Sequence, residues 1–229
     1  SYDGYRARNC WGFWFDEHIH KGAGEVQDLA EILDEVERDY RVDPARIHVA
    51  GLSSGAAMAV ALMVAFCDRI ASGATTAAVP YSETALSVFA ACFNPGVFKP
   101  IDAVVAAMHA EMGAARRPVP LLVIHSKDDC VVHLRAAEHL RDSWGLAFEI
   151  DTAHPVFTTS GETQGTPWTH ARYGDVQGET VVETLFVEGL KHAWYGGGDG
   201  KFAVSKAPDT ARLAWEFFQA HPLHRAAEP

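Results

Sequence analysis

The chain has 229 residues, 48% of them hydrophobic, with 19 lysines and arginines against 30 aspartates and glutamates, for a formal net charge of −11. That length and apolar share suffice to bury one large core, so residues 1–229 read as a single globular domain. The acidic balance excludes the clustered basic face of a nucleic-acid binder, and no run approaches the roughly 18 apolar residues of a membrane span.

The chain opens SYDGYRARNCW, without the charged-then-apolar layout of a signal peptide. The stretch from Asp16 to His20 (DEHIH) has the residue types of a metal cluster, but without a cysteine or HExxH companion it reads as a solvated loop. No metal is therefore expected at this stretch. From Gly24 to Tyr40, Val26, Leu29, Ile32, Leu33 and Val36 recur at helical spacing with acids opposite, which predicts a surface helix packed on a sheet.

After a turn at Asp43-Pro44, Arg46 to Ala50 (RIHVA) reads as a short strand, and Ser54 to Phe66 as a helix of small apolar residues. Between them stands Gly51-Leu52-Ser53-Ser54-Gly55, a G-x-S-x-G motif. A serine on a sharp strand-to-helix turn is held with its hydroxyl above the sheet edge, and glycines on either side let the two elements approach closely. The same turn places the Ser54 N–H at a helix start, where it can stabilise an oxyanion. The bland alternative is a glycine-rich turn whose serine merely caps the helix.

Val119 to His125 (VPLLVIH) reads as a buried parallel strand, followed by a loop and a helix near His133 to Trp144. Thr180 to Val187 is another strand, and Pro208 to His221 an amphipathic helix. Alternating strands and helices without repeats or linkers predict one α/β domain with a mostly parallel sheet flanked by helices.

A nucleophilic serine needs a base and an orienting acid, which this class supplies in the order Ser, Asp or Glu, His. Asp129 lies just past the strand ending at His125, with Asp128 as its nearest rival, and His192 follows the strand ending at Val187 within a glycine-rich loop. Each alone fits a capping acid or a surface histidine; three candidates at strand ends in the required order point to acyl transfer. Trp194 and Tyr195, just past the base, are the candidate substrate-binding wall. Trp11, Trp14 and Trp168 fit a groove or a core equally. Cys10, Cys67, Cys92 and Cys130 have no CxxC spacing, so no zinc or thioredoxin-like motif is indicated; up to two disulfides are possible, with the pairing open.

Several of these segments resemble the polyhydroxybutyrate-depolymerase-like esterases of the α/β-hydrolase superfamily, a group that includes feruloyl and acetylxylan esterases. They are Cys10-Trp11 with Phe15, Gly22 to Glu25, Val42 to Ala59, Pro80-Tyr81, His125 to Val132 and Gly189 to Trp194. The family's H-G-x-x-D-x-x-V pattern, set on His125 and Val132, implies Asp129 rather than Asp128 as the acid. Its G-x-G-H-x-W-x-G-G pattern matches His192 and Trp194. Ser126 and Lys191 depart from it, each standing where glycine is usual.

The resemblance implies a serine esterase without cofactor, acting on a small-molecule or polymeric ester outside the cytoplasm, with feruloyl, acetylxylan or polyamino-acid substrates as alternatives; because fold does not fix function, a non-catalytic α/β-hydrolase-like binding protein is the alternative from another class. These proteins normally carry several strands and an H-G oxyanion loop before Cys-Trp, whereas this chain starts almost at that motif. The expectation is an α/β-hydrolase fold lacking its N-terminal strands, completed by an N-terminal segment or a second chain, or else leaving apolar side chains uncovered beside Arg46 to Ala50. Within the chain the sequence identifies one oxyanion donor, Ser54.

Overall fold

A computed structural model of the protein describes residues 9–84, 98–175 and 179–223. The central sheet has six strands: β1 (His48–Leu52), β2 (Ser72–Thr76), β3 (Leu121–Ser126), β4 (Phe157–Thr163), β5 (Thr166–Gly174) and β6 (Thr180–Val187), in the spatial order β1-β2-β3-β6-β5-β4. The four neighbours β1, β2, β3 and β6 are parallel, and β5 and β4 add an antiparallel hairpin. Two short strands, β7 (Trp194–Tyr195) and β8 (Ala203–Val204), pair separately.

Helices cover both faces, as a mostly parallel sheet requires. On one lie α1 (Gly24–Asp39), α2 (Ser54–Ala65), α3 (Ile101–Met112) and α4 (Leu134–Ala147); α5 (Thr210–Ala220) covers the other. The apolar sequence of α2 has no polar side, and the helix is accordingly buried almost all round. It presses so closely on β2 that a Cβ at Gly73 would lie 2.3 Å from Met63 Sδ. Trp144 of α4 is fully buried and satisfies its indole by donating to the Val119 carbonyl at 2.8 Å. The Asp209 carboxylate caps α5 by accepting from the Ala211 and Arg212 N–H groups, both at 3.1 Å.

The strand–turn–helix unit at Ser53, the strands β3 and β6, and the helices α1, α4 and α5 follow the sequence expectations to within a few residues. The Asp43-Pro44 turn forms, with the Arg46 N–H donating to the Asp43 carbonyl at 2.9 Å. One expectation needs correcting on α1. Val26 is fully buried and Leu29 and Leu33 pack against the core, but Ile32 is 58% exposed and Val36 39% exposed, so two of the five stripe residues face away from it. β1 is an edge strand among the described residues, with Ala50 exposed.

Candidate active site

In a parallel sheet every strand ends at the same edge, so the loops after β1, β3 and β6 share one side. The register pairs Leu52 with Thr76, Thr76 with Ile124, and Ser126 with Val187. Ser53 follows β1, Asp129 follows β3 and His192 follows β6, which brings all three to that side.

Ser53 has φ 59° and ψ −123°, outside the ordinary helix and strand regions. It immediately precedes α2 yet makes no capping bond with its side chain, so the hydroxyl is not spent on the helix. This removes the capping-serine alternative. The turn is tightened from both ends: the Ser53 N–H donates to the Thr76 carbonyl at 2.9 Å, and the Ser53 carbonyl accepts from Ala57 N–H at 3.0 Å. A Cβ on Gly51 would lie 2.3 Å from the Gly55 carbonyl carbon and oxygen, so only glycine fits at 51. At Gly55, a Cβ would meet the Trp11 indole at 3.8 Å, which puts that ring beside the start of α2. The loop carrying Trp11 is held in turn by Gly12 N–H, which donates to the buried Glu25 carboxylate at 2.6 Å.

Asp129 and His192 meet directly. His192 Nδ1 donates to Asp129 Oδ2 at 2.7 Å, and the other carboxylate oxygen accepts from the Val131 and Val132 N–H groups at 2.7 and 2.9 Å. Burial pushes the Asp129 carboxyl up, but these three donors outweigh it and hold the group below the usual carboxylate range. A carboxylate that accepts from Nδ1 fixes the imidazole tautomer and leaves Nε2 as the free acceptor. Among the described residues the Ser53 hydroxyl makes no hydrogen bond to His192; the serine shares with the pair the sheet edge at which their strands end.

Asp128 plays a different part, accepting the Gly189 N–H at 2.6 Å. His125 is fully buried and, because a carbonyl can only accept, donates from Nε2 to the Val132 carbonyl at 2.8 Å. Burial holds its pKa well below the ordinary histidine value, so it is a neutral strut beneath the acid loop and is not available to Ser53. Ser126, the departure from glycine, is likewise fully buried, and its hydroxyl bonds to both loops. Sequence reasoning met His125 and Ser126 only as positions of the family's pattern and gave neither a structural part.

The two aromatic candidates separate. Trp194 is half-buried at the start of β7, but Tyr195 is completely buried in the second core cluster, so it supports the loop from below instead of facing substrate. A cavity of about 480 Å³ lies between the β4–β5 turn and the loops at Asp128 and Glu188–Leu190, and Ser53 does not line it. No group of His, Cys, Asp or Glu suited to a metal occurs among the described residues. His20 of the DEHIH stretch is taken by Glu111 at 2.6 Å and Asp16 at 3.2 Å. Cys67 and Cys130 are free thiols, and Cys92 lies outside the described residues. No described helix is long and apolar enough to cross a membrane.

A mostly parallel sheet with helices on both faces, and a strained serine turn joining its first described strand to a buried helix, is the α/β-hydrolase fold. Residues 3–163 match the family model described as esterase PHB depolymerase, and the chain belongs to that family. Poly(3-hydroxyalkanoate) depolymerase C of Paucimonas lemoignei is 27% identical over 191 residues, covering 82% of this chain and 45% of that protein. A bifunctional acetylxylan esterase/xylanase of Neocallimastix patriciarum is 24% identical over 136 residues, 58% of this chain and 16% of that protein. The chain thus spans less than half the length of these curated relatives. The acetyl xylan esterase from Aspergillus awamori superposes with a TM-score of 0.71 at 16% identity, covering 94% of this chain and 75% of that one. PHB depolymerase from Penicillium funiculosum gives 0.51 at 18% identity, covering 82% and 55%. At such identities these structures carry the fold alone.

Proposed function

We propose that this protein is a serine esterase in which Ser53 is the nucleophile, His192 the general base and Asp129 the orienting acid. The observation that carries the reading is the 2.7 Å bond from His192 Nδ1 to a buried carboxylate, at the sheet edge where an uncapped, strained serine also emerges. In the reaction, Ser53 Oγ bonds to the ester carbonyl carbon while His192 Nε2 takes its proton. The tetrahedral oxyanion is held by the Ser54 N–H at the start of α2, a donor worth about 3 to 4 kcal/mol of transition-state stabilisation. The intermediate collapses, and the leaving alkoxide takes the proton from His192. Water, activated by the same imidazole, then attacks the acyl-enzyme and releases the acid and Ser53.

The family and the depolymerase relative support a polymeric or oligomeric hydroxyalkanoate ester as substrate. The Trp11 indole, 38% exposed beside Gly55, and half-buried Trp194 supply the apolar walls for it. Acetyl esters of a polysaccharide are the second reading, supported by the Neocallimastix relative. Turnover of p-nitrophenyl butyrate, run beside Ser53→Ala, tests the chemistry. Activity lost in the variant supports the proposal, and equal activity in both proteins overturns it. Hydroxybutyrate oligomers compared with acetylated xylan then separate the two substrates by kcat/KM.

A further inference from the structure

We propose that Ser126 is a positioning residue of this site, its hydroxyl coupling the loop that carries the acid to the loop that carries the base. The inference rests on the reading of His192 as base and Asp129 as acid. Ser126 closes β3 and has no exposed surface. Its Oγ donates to the Leu190 carbonyl at 2.5 Å, two residues before His192. The same oxygen accepts from the Asp128 N–H at 3.2 Å, one residue before Asp129.

A hydroxyl is suited to this because it carries one donor and two acceptor lone pairs on one atom. Leu190 offers only its carbonyl and Asp128 its N–H, so the bridge needs a side chain that donates one way and accepts the other. Alanine or glycine can do neither. Two further links run between the same loops: the Gly189 N–H donates to Asp128 Oδ2 at 2.6 Å, and the Lys127 N–H donates to the Val187 carbonyl at 2.8 Å. Both precede Leu190, so the Ser126 bond is the last of the three before the imidazole. The Lys127–Glu188 ion pair, 2.7 Å apart, also crosses the loops but lies on the surface, where such pairs hold little.

Removing the Oγ therefore takes away the bond that ties Leu190 to the acid loop, leaving the His192–Asp129 bond at 2.7 Å and the Tyr195 hydroxyl on the Lys191 carbonyl at 3.4 Å to hold the segment, with strand pairing and core packing in place. A displacement of about 1 Å in a reacting group costs up to about a hundredfold in rate. The loss falls on kcat, since Ser126 is buried and touches no substrate.

The test compares the parent, Ser126→Ala and Ser53→Ala in ester turnover, thermal unfolding and the far-downfield proton NMR signal of the His192 Nδ1–H, identified by its absence in Asp129→Asn. The expected result is a folded Ser126→Ala variant with kcat lowered about 10- to 100-fold, KM unchanged, and the downfield signal broadened or lost. Parent-like kcat and signal would overturn the proposal. So would a lower melting temperature whose folded fraction keeps both, or a change confined to KM. Should the alanine variant not fold, Ser126→Cys, slightly larger and with a weaker donor, is read by the same outcomes. Ester turnover that persists in Ser53→Ala would instead overturn the reading of the site itself, so the two failures are distinct.

Discussion

Asp129→Asn perturbs the proposed mechanism without disturbing its scaffold. The asparagine carbonyl can keep the two backbone donors that Asp129 Oδ1 accepts, Val131 N–H at 2.7 Å and Val132 N–H at 2.9 Å. Its NH2 group then occupies the Oδ2 position, 2.7 Å from His192 Nδ1. Two donors cannot face one another at that distance, so the imidazole shifts its proton to Nε2. Nε2 is the atom that must accept the serine proton, and with a proton of its own it cannot. The expected loss is about four powers of ten in kcat, or about 5.5 kcal/mol at about 1.4 kcal/mol per tenfold. Stability should fall by only about 1 to 3 kcal/mol, the worth of a charge-assisted bond that is replaced. Steady-state hydrolysis of p-nitrophenyl butyrate, with circular dichroism to confirm the fold, measures both. Asp128→Asn is the control: its carbonyl still accepts the Gly189 N–H, and its activity should stay within about tenfold of the parent. An Asp129→Asn variant with near-parent kcat, beside a crippled Asp128→Asn, would refute the assignment of the acid.

Three further outcomes follow from the same geometry. Ser53→Gly should abolish turnover and raise stability by about 1 kcal/mol in urea titrations, because strain at φ 59° is relieved by more than glycine loses in chain entropy; a destabilised variant would show that the turn stores no strain. Gly51→Ala should cost about 3 kcal/mol or displace the turn, since its Cβ would meet Gly55 backbone at 2.3 Å and backbone cannot rotate away, a result read from the melting temperature and from lost activity. The Asp129 carboxyl is held below its ordinary value against the effect of burial, so its contribution to stability is complete above about pH 3.9 and is lost as pH falls through the lower folded value. The stability deficit of Asp129→Asn should therefore shrink in urea titrations carried below that pH, and a deficit independent of pH would contradict it.

The elements that position the site were legible because their patterns are local. Gly51 to Gly55 sits between an apolar strand and an unbroken apolar helix, and Leu121 to Ile124 is a continuous apolar run, so periodicity and turn chemistry were enough. β2 escaped notice because its sequence, Ser-Gly-Ala-Thr-Thr, is small and polar; it is nonetheless buried throughout, made small by the pressure of α2 against Gly73. The β4–β5 hairpin had a readable signal in Gln164-Gly165, both at positive φ in the turn, but its strands are largely exposed and lack an apolar alternation. α3 had one too, with Pro100 just before it and Val104, Met108 and Met112 at a spacing of four. Tyr195 was misread because proximity in sequence to His192 says nothing of which way a ring points, and here it points into the core. The bridges made by Ser126 and Asp128 depend on which backbone groups two distant loops present, and no local pattern encodes that.

The central claim, that Ser53 is the nucleophile, is tested most directly by covalent trapping. Incubation with a fluorophosphonate, followed by peptide mass spectrometry, should place one phosphonyl group on Ser53, with labelling and ester turnover lost at the same rate. Ser53→Ala should take up none, and Asp129→Asn should label far more slowly. A phosphonyl group on Ser54 or on any other residue, or full ester turnover in a protein that takes up no label, would contradict the account.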